Sequence, residues 1–268
     1  MKKISFIILT YNSESYIQEC IESLLRIKKF KIEIFIIDNG SNDKTINILE
    51  KYSKNNSNIE IIKLERNYGT TYSRNLAFHK IKNTDYICIL DSDTIVNEDA
   101  FEKMSSFLDK NKDVGLVGPA MQNKNGERQV PYRKLPNWKI KLLKACPIKS
   151  ISKKGEKMES YGKIDYSKPF ESDYLISACW LMPYNTYKKV GDFDEKIFYA
   201  PEDVDYCIRV WKNNMKVYHI PNAEIIHLYQ RISKKKIISK TNLSHIQGLN
   251  YLFKKHKKYL KEYRKGNK

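Results

Sequence analysis

Short apolar runs alternate with amphipathic helical segments through the first half of the chain, and no other feature of the sequence constrains its fold as strongly. Residues 4–9, 32–37, 59–64, 86–90 and 114–117 read as buried strands. Between them, Ser13 is a candidate N-cap for a helix with Ile17, Ile21, Leu24 and Leu25 on one face, and residues 43–52, 73–81 and 98–108 read as further helices. Apolar strands joined by helices predict an α/β fold, with a largely parallel sheet covered on both faces. After residue 159 the pattern changes: residues 174–182, 216–220 and 223–226 are strand-like, 184–190 is helical, and a helix follows Pro201. We expect these to complete one Rossmann-like mixed sheet within residues 1–230, made of a half at 1–121, an insert at 122–158 and a half at 159–230. A helical tail, 231–268, follows.

Composition matters chiefly through where the charge lies. The chain of 268 residues carries a formal net charge of +18. Residues 122–158 hold 11 basic and 2 acidic side chains and residues 231–268 hold 13 and 1, whereas the rest of the chain is slightly acidic. In the insert Trp138, Ile140, Leu142, Leu143 and Ile148 interleave with Lys139, Lys141, Lys144 and Lys149. In the tail Leu243, Ile246, Leu249, Phe253 and Leu260 recur at helical spacing among lysines. Peripheral membrane contact through 130–150 and 231–268, or docking of the tail on the core, would each use such a stripe. No nucleic-acid-binding signature accompanies the charge. Five cysteines without C-x-x-C spacing are expected to be reduced packing residues. The start of the chain lacks the apolar stretch of a signal peptide, so a cytoplasmic location is expected, peripheral to the inner face of the membrane at most.

Two apolar strands run into aspartate, as Asp38-Asn39-Gly40-Ser41 and Asp91-Ser92-Asp93. Ligands of open α/β sheets bind at the carboxyl ends of strands. Asp91 and Asp93 are two apart and point the same way in an extended segment, as two carboxylates sharing a divalent cation with a diphosphate would. Turn capping is the plainer use of such aspartates. Glu202, Asp203 and Asp205 crowd the start of a helix, where acids suit the helix dipole but one could also serve as a general base. His227 closes a strand-like run as a packed histidine or a metal ligand. The fingerprints of dinucleotide-binding enzymes, P-loop proteins and serine hydrolases are absent.

Taken in order, Thr10-Tyr11-Asn12, Asp38-Asn39-Gly40-Ser41, Asn67-Tyr68-Gly69 with Arg74-Asn75, and Asp91-Ser92-Asp93 resemble the motifs of family 2 glycosyltransferases of GT-A fold. Gly191-Asp192-Phe193-Asp194-Glu195, the run from Pro201 to Arg209, and His227, 24 residues beyond Asp203, resemble its rhamnosyltransferase and galactofuranosyltransferase branch. The resemblance implies an inverting transfer of a hexosyl or deoxyhexosyl group from a UDP- or dTDP-sugar to a hydroxyl of a glycan or lipid-linked acceptor, in cell-surface polysaccharide synthesis. It implies that Asp38, Thr10 and Asn12 hold the pyrimidine and ribose, with Tyr11, Asn39 and Ser92 in the same donor motifs, and that Arg74 approaches the base. Asp91 would sit by ribose and metal, Asp93 and His227 would bind Mn²⁺ or Mg²⁺, and Asp203 would be the base. Glu202 and Asp205 would grip the acceptor sugar, and Trp180 would stack on it. Two rivals remain: a haloacid-dehalogenase-like phosphatase, whose D-x-D-x-T pattern Asp91 also satisfies, and a non-catalytic basic adaptor.

Overall fold

The computed structural model describes residues 1–162, 164–228 and 240–266. The first half alternates as the sequence predicts: β1 (Lys3–Thr10), α1 (Ile17–Leu25), β2 (Lys31–Asp38), α2 (Thr45–Asn55), β3 (Ile59–Lys63), α3 (Thr70–Phe78), β4 (Tyr86–Asp91), a short β5 (Thr94–Ile95), α4 (Glu98–Lys110) and β6 (Val114–Gln122). The insert holds β7 (Arg128–Gln129), β8 (Tyr132–Arg133), α5 (Trp138–Ala145) and α6 (Lys149–Glu159). Then come β9 (Phe170–Glu171), β10 (Tyr174–Leu175), β11 (Cys179–Pro183), α7 (Tyr184–Val190), α8 (Glu202–Lys212), β12 (Lys216–His227), α9 (Lys240–Lys255) and α10 (Lys257–Gly266).

The strands lie in the order β3-β2-β1-β4-β11-β6-β12-β5, with β7 beside β6 and β9 beside β12. Strands β3, β2, β1 and β4 are parallel, β11 runs antiparallel between β4 and β6, and β12 is parallel to β6. The mixed sheet flanked by helices is the GT-A-type arrangement expected. One core packs Phe6, Ile8, Ile36 and Leu90 against α1 and α4; the other packs Ile7, Ile37, Ile89 and Trp180 against α3, α8 and the tail. Side chains alternate between the two faces, so strands buried on both sides read as unbroken apolar runs.

Several boundaries differ from expectation. Ser13 is not a side-chain cap: α1 begins at Ile17, and the Ser13 hydroxyl contacts Tyr11 N and Ser92 Oγ instead. Residues 174–182 do not form one strand: β10 pairs with β8 in a separate two-stranded sheet, and Ile176, Ser177 and Ala178 lead from it to β11 in the main sheet. Residues 216–226 are one strand carrying an irregularity between Ile220 and Glu224. The tail docks on the core: Leu249, Leu252 and Leu260 are buried, and Phe253 packs edge-on against Trp138 with ring centroids 5.0 Å apart. Ile246 of the expected stripe is exposed. Residues 231–239 and the Leu243 side chain lie outside the described residues. All five cysteines are free, and among the described residues no helix is long and apolar enough to cross a membrane.

Candidate active site

Parallel register brings the first-half motifs to one edge of the sheet: Thr10 pairs with Asp38 across β1 and β2, and Leu9 with Asp91 across β1 and β4. Asp38 is buried and accepts from Thr10 Oγ1 at 3.1 Å, from Ser41 N at 3.0 Å and from Ser41 Oγ at 2.5 Å. Asn12 adopts φ 51°, its N donates to Ser41 Oγ at 2.9 Å, and its side-chain oxygen accepts from Asn42 N at 2.9 Å. These bonds tie the ends of β1 and β2 together, and Tyr11 beside them is exposed. Ser13 Oγ meets Ser92 Oγ at 3.0 Å, which joins this edge to the Asp91-Ser92-Asp93 turn.

Antiparallel pairing of β12 with β5 sets His227 opposite Thr94, beside that turn. One ligand atom each from Asp91, Asp93 and His227 lies within 4.8 Å of the others. His227 Nε2 is 3.4 Å from Asp93 Oδ1. Gln129 holds the ring from behind: its amide nitrogen donates to His227 O at 2.7 Å, so its oxygen receives the Nδ1 proton at 2.8 Å and Nε2 is turned towards Asp93. Burial works against a charged imidazole, but the Asp93 carboxylate outweighs it and raises the His227 pKa. Enclosure likewise raises Asp91, with Arg74 opposing the rise and Asp93 adding to it. Two carboxylates and an imidazole that all favour a positive partner suit a hard divalent cation such as Mn²⁺ or Mg²⁺.

Arg74, on α3 and 98% buried, spans the crevice. Its Nη2 donates to Asp91 Oδ1 at 2.9 Å, and its Nη1 to Ser177 Oγ at 3.1 Å and Glu202 Oε1 at 3.4 Å. Ser177, in the break between β10 and β11, also donates to Glu202 at 3.0 Å. Burial, reinforced by Asp203, pushes the Glu202 carboxyl up to about 8. Asp203 is half-buried at the first turn of α8; enclosure raises its pKa, opposed by the Val204 N–H at 2.7 Å and then by Lys141, Arg133 and Arg74. A carboxylate moved towards neutrality and open to solvent on one side is suited to general-base work. The loop leading to it is pinned on α3: Thr70 N donates to Phe198 O at 2.7 Å, Thr71 Oγ1 to Ile197 O at 2.7 Å, and Asn75 bonds Phe193 through both its side-chain groups. At Gly69, φ 89°, a Cβ would lie 2.3 Å from Phe198 O, so this approach requires glycine.

Four expected roles need correction. Trp180 is fully buried, packed on Phe193 and Tyr206, and has no face to offer a sugar. Asp205 points away from Asp203, because two residues further along a helix the direction has turned by about 200°; it binds Arg209 Nε at 2.9 Å, Lys255 at 2.6 Å and His256 at 2.8 Å, which fastens the tail. The Asn39 side chain is buried and committed to Asn67, Tyr68, Gly69 and Ser73, so it braces the donor-side loop. Arg74 is committed to carboxylates beneath the crevice and does not approach a base.

The family model for glycosyl transferase family 2 matches residues 5–190. The chain belongs to that family. A relative, an uncharacterized glycosyltransferase of Methanocaldococcus jannaschii, is 29% identical over 88% of this chain and 76% of its own. The poly(ribitol-phosphate) β-N-acetylglucosaminyltransferase TarS of Staphylococcus aureus is 36% identical over 49% of this chain, which spans 23% of TarS. Among solved structures, GalNAc-T7 with UDP, GalNAc and Mn²⁺ has a TM-score of 0.72 at 15% identity over 98% of this chain and 50% of that one. S. aureus TarS residues 1–349 with UDP-GlcNAc has 0.57 at 22% identity, over 89% and 62%. These structures share the fold. In this family 2 glycosyltransferase, sequence reasoning missed Gln129 and Ser177. No spacing rule marks them, since each acts through a partner remote in sequence.

Proposed function

We propose that this glycosyltransferase is metal-dependent and inverting, moving a hexosyl or deoxyhexosyl group from a UDP- or dTDP-sugar to a hydroxyl of a glycan or lipid-linked acceptor in polysaccharide synthesis. The observation that carries the reading is the Arg74 bridge, which joins Asp91 of the Asp91-Asp93-His227 cluster to Glu202, the neighbour of Asp203. Asp38, Thr10, Asn12 and Ser41 line the place for the nucleoside. Asp91, Asp93 and His227 would hold the divalent cation, which supplies charge neutralisation to the departing diphosphate. Asp203 takes the proton of the acceptor hydroxyl as it attacks from the far side, which gives inversion. Glu202, held by Arg74 and Ser177 next to Asp203, is placed to contact the acceptor. The Mn²⁺ held with UDP and GalNAc by GalNAc-T7 and the UDP-GlcNAc held by TarS accord with this donor chemistry. Exposed Trp138, Leu142 and Ile148 among lysines favour a peripheral membrane contact beside it.

A panel of UDP-, dTDP- and GDP-sugars, each with and without Mn²⁺, tests the reading by thermal unfolding. A bound donor at a hundred times its Kd stabilises by about 2.7 kcal/mol. Protection by a UDP- or dTDP-sugar that requires the metal is expected; protection by none of them overturns the assignment.

A further inference from the structure

Outside the donor-side motifs, one buried carboxylate of the insert gathers several cations around it. Glu159, at the end of α6, is 1% exposed and meets three cations: Arg133 at 3.0 Å, Lys141 at 3.2 Å and Lys144. One cation would neutralise this carboxylate. The others repel each other: burial lowers the Lys144 pKa, Glu159 opposes that, and Arg133 and Lys141 lower it further. Lys141 and Lys144 are three apart on α5 and share a face.

The cluster adjoins the acceptor side of the crevice. Tyr174 of β10 pairs with Arg133 of β8, its hydroxyl is 3.5 Å from Glu159, and β10 packs on α8, which begins with Glu202 and Asp203. Both Lys141 and Arg133 act electrostatically on Asp203. Burial, and then Lys141 and Lys144, lower the pKa of His245 in the tail to about 4, so it adds no positive charge here at pH 7.

We propose that Lys141 and Lys144, with Arg133, form an anion subsite beside Asp203, and that the acceptor carries a phosphate group close to the hydroxyl that is glycosylated. The inference rests on the glycosyltransferase reading above. Lys141 and Lys144 are partly exposed and share the single carboxylate of Glu159, so a phosphodiester can supply a second negative charge and oxygen acceptors to both ammonium groups, which an uncharged glycan cannot.

The test uses the full chain and two probes, a glycerol phosphate oligomer and its phosphate-free polyether counterpart, with UDP plus Mn²⁺ titrated separately. The oligomer binds the wild type and its counterpart does not. Lys141→Gln weakens oligomer binding about tenfold, the loss of one charge-assisted hydrogen bond, and leaves UDP binding unchanged. Lys141→Arg restores it, and Lys153→Gln with Lys154→Gln, on the exposed face of α6, leaves it intact. Glu159→Gln, with its fold checked by circular dichroism, tightens it. Inorganic phosphate competing as well as the oligomer does would mark a free-phosphate site and overturn the acceptor assignment. Equal binding by Lys141→Gln and wild type, or by the two probes, overturns the subsite. Failure of UDP to bind the wild type counts against the enzyme reading alone.

Discussion

Asp91 on the donor side and Glu202 on the acceptor side share one buried guanidinium: Arg74 reaches the first at 2.9 Å and the second at 3.4 Å. The distance between the two halves of the site is therefore set by a rigid planar fork on α3. Removing it would leave the buried Glu202 and the partly exposed Asp91 without their shared cation.

Arg74→Met is expected to cost about 3–5 kcal/mol, the penalty for breaking a buried ion pair. Arg74→Lys keeps the charge yet cannot span both acids, and should recover less than half of that loss. Urea denaturation of the three proteins measures this; a wild-type midpoint for Arg74→Met would show that the bridge carries no stability.

Asp203→Asn should lower turnover by roughly 10²–10⁴, the usual worth of general-base assistance, while protection by the nucleotide is retained. Steady-state kinetics beside thermal shift with UDP and Mn²⁺ separate the two effects. Full turnover in this variant would remove Asp203 from the chemistry.

Gln129→Leu should weaken Mn²⁺ affinity by about 10–100-fold, because the amide that fixes the His227 ring is lost while all three ligands remain. A metal titration read by tryptophan fluorescence or calorimetry decides it. Unchanged affinity would mean that β12 alone positions the ring.

Gly248 of α9 packs so closely on the loop before Asp203 that a Cβ would lie 2.3 Å from Ala200 O. Gly248→Ala should therefore destabilise by about 1–3 kcal/mol through overpacking, despite the better helix propensity of alanine. A stabilised Gly248→Ala protein would place the tail further from the loop than described.

Acid should unfold the protein through Glu159. Burial alone would raise this carboxyl, but Lys141, Lys144 and Arg133 hold it at about 2 against an ordinary 4.5. A carboxyl depressed in the folded state adds stability that is complete above its unfolded pKa and is lost as the pH falls from about 4.5 to about 2, up to roughly 3 kcal/mol in all. Denaturation curves across that window should be flatter for Glu159→Gln; identical slopes would assign the acid sensitivity elsewhere.

How much of this was legible in the sequence follows from the range of the interactions. Strand–helix alternation is local and survives in composition, so the sheet-forming runs, the aspartates at strand ends and the Asp91-Asp93 pair could be read directly. Residues 184–190 formed the expected helix for the same reason. Orientation within a crowded run was not local. Glu202, Asp203 and Asp205 look equivalent in sequence, yet the helical repeat turns Asp205 towards Arg209, Lys255 and His256. Trp180 reads as a platform until β11 is inserted between β4 and β6, where both its faces are covered.

The order of residues alone determined the fold class, the carboxyl-edge position of the acids and the family motifs, because each depends on periodicity or on spacing within a few residues. Tertiary structure decided which groups meet: that Gln129 orients His227, that Arg74 joins Asp91 to Glu202, and that the basic insert faces Asp203. Those meetings depend on strand order and helix docking across tens of residues, and side-chain chemistry acts only over a few ångströms once the chain has closed that separation.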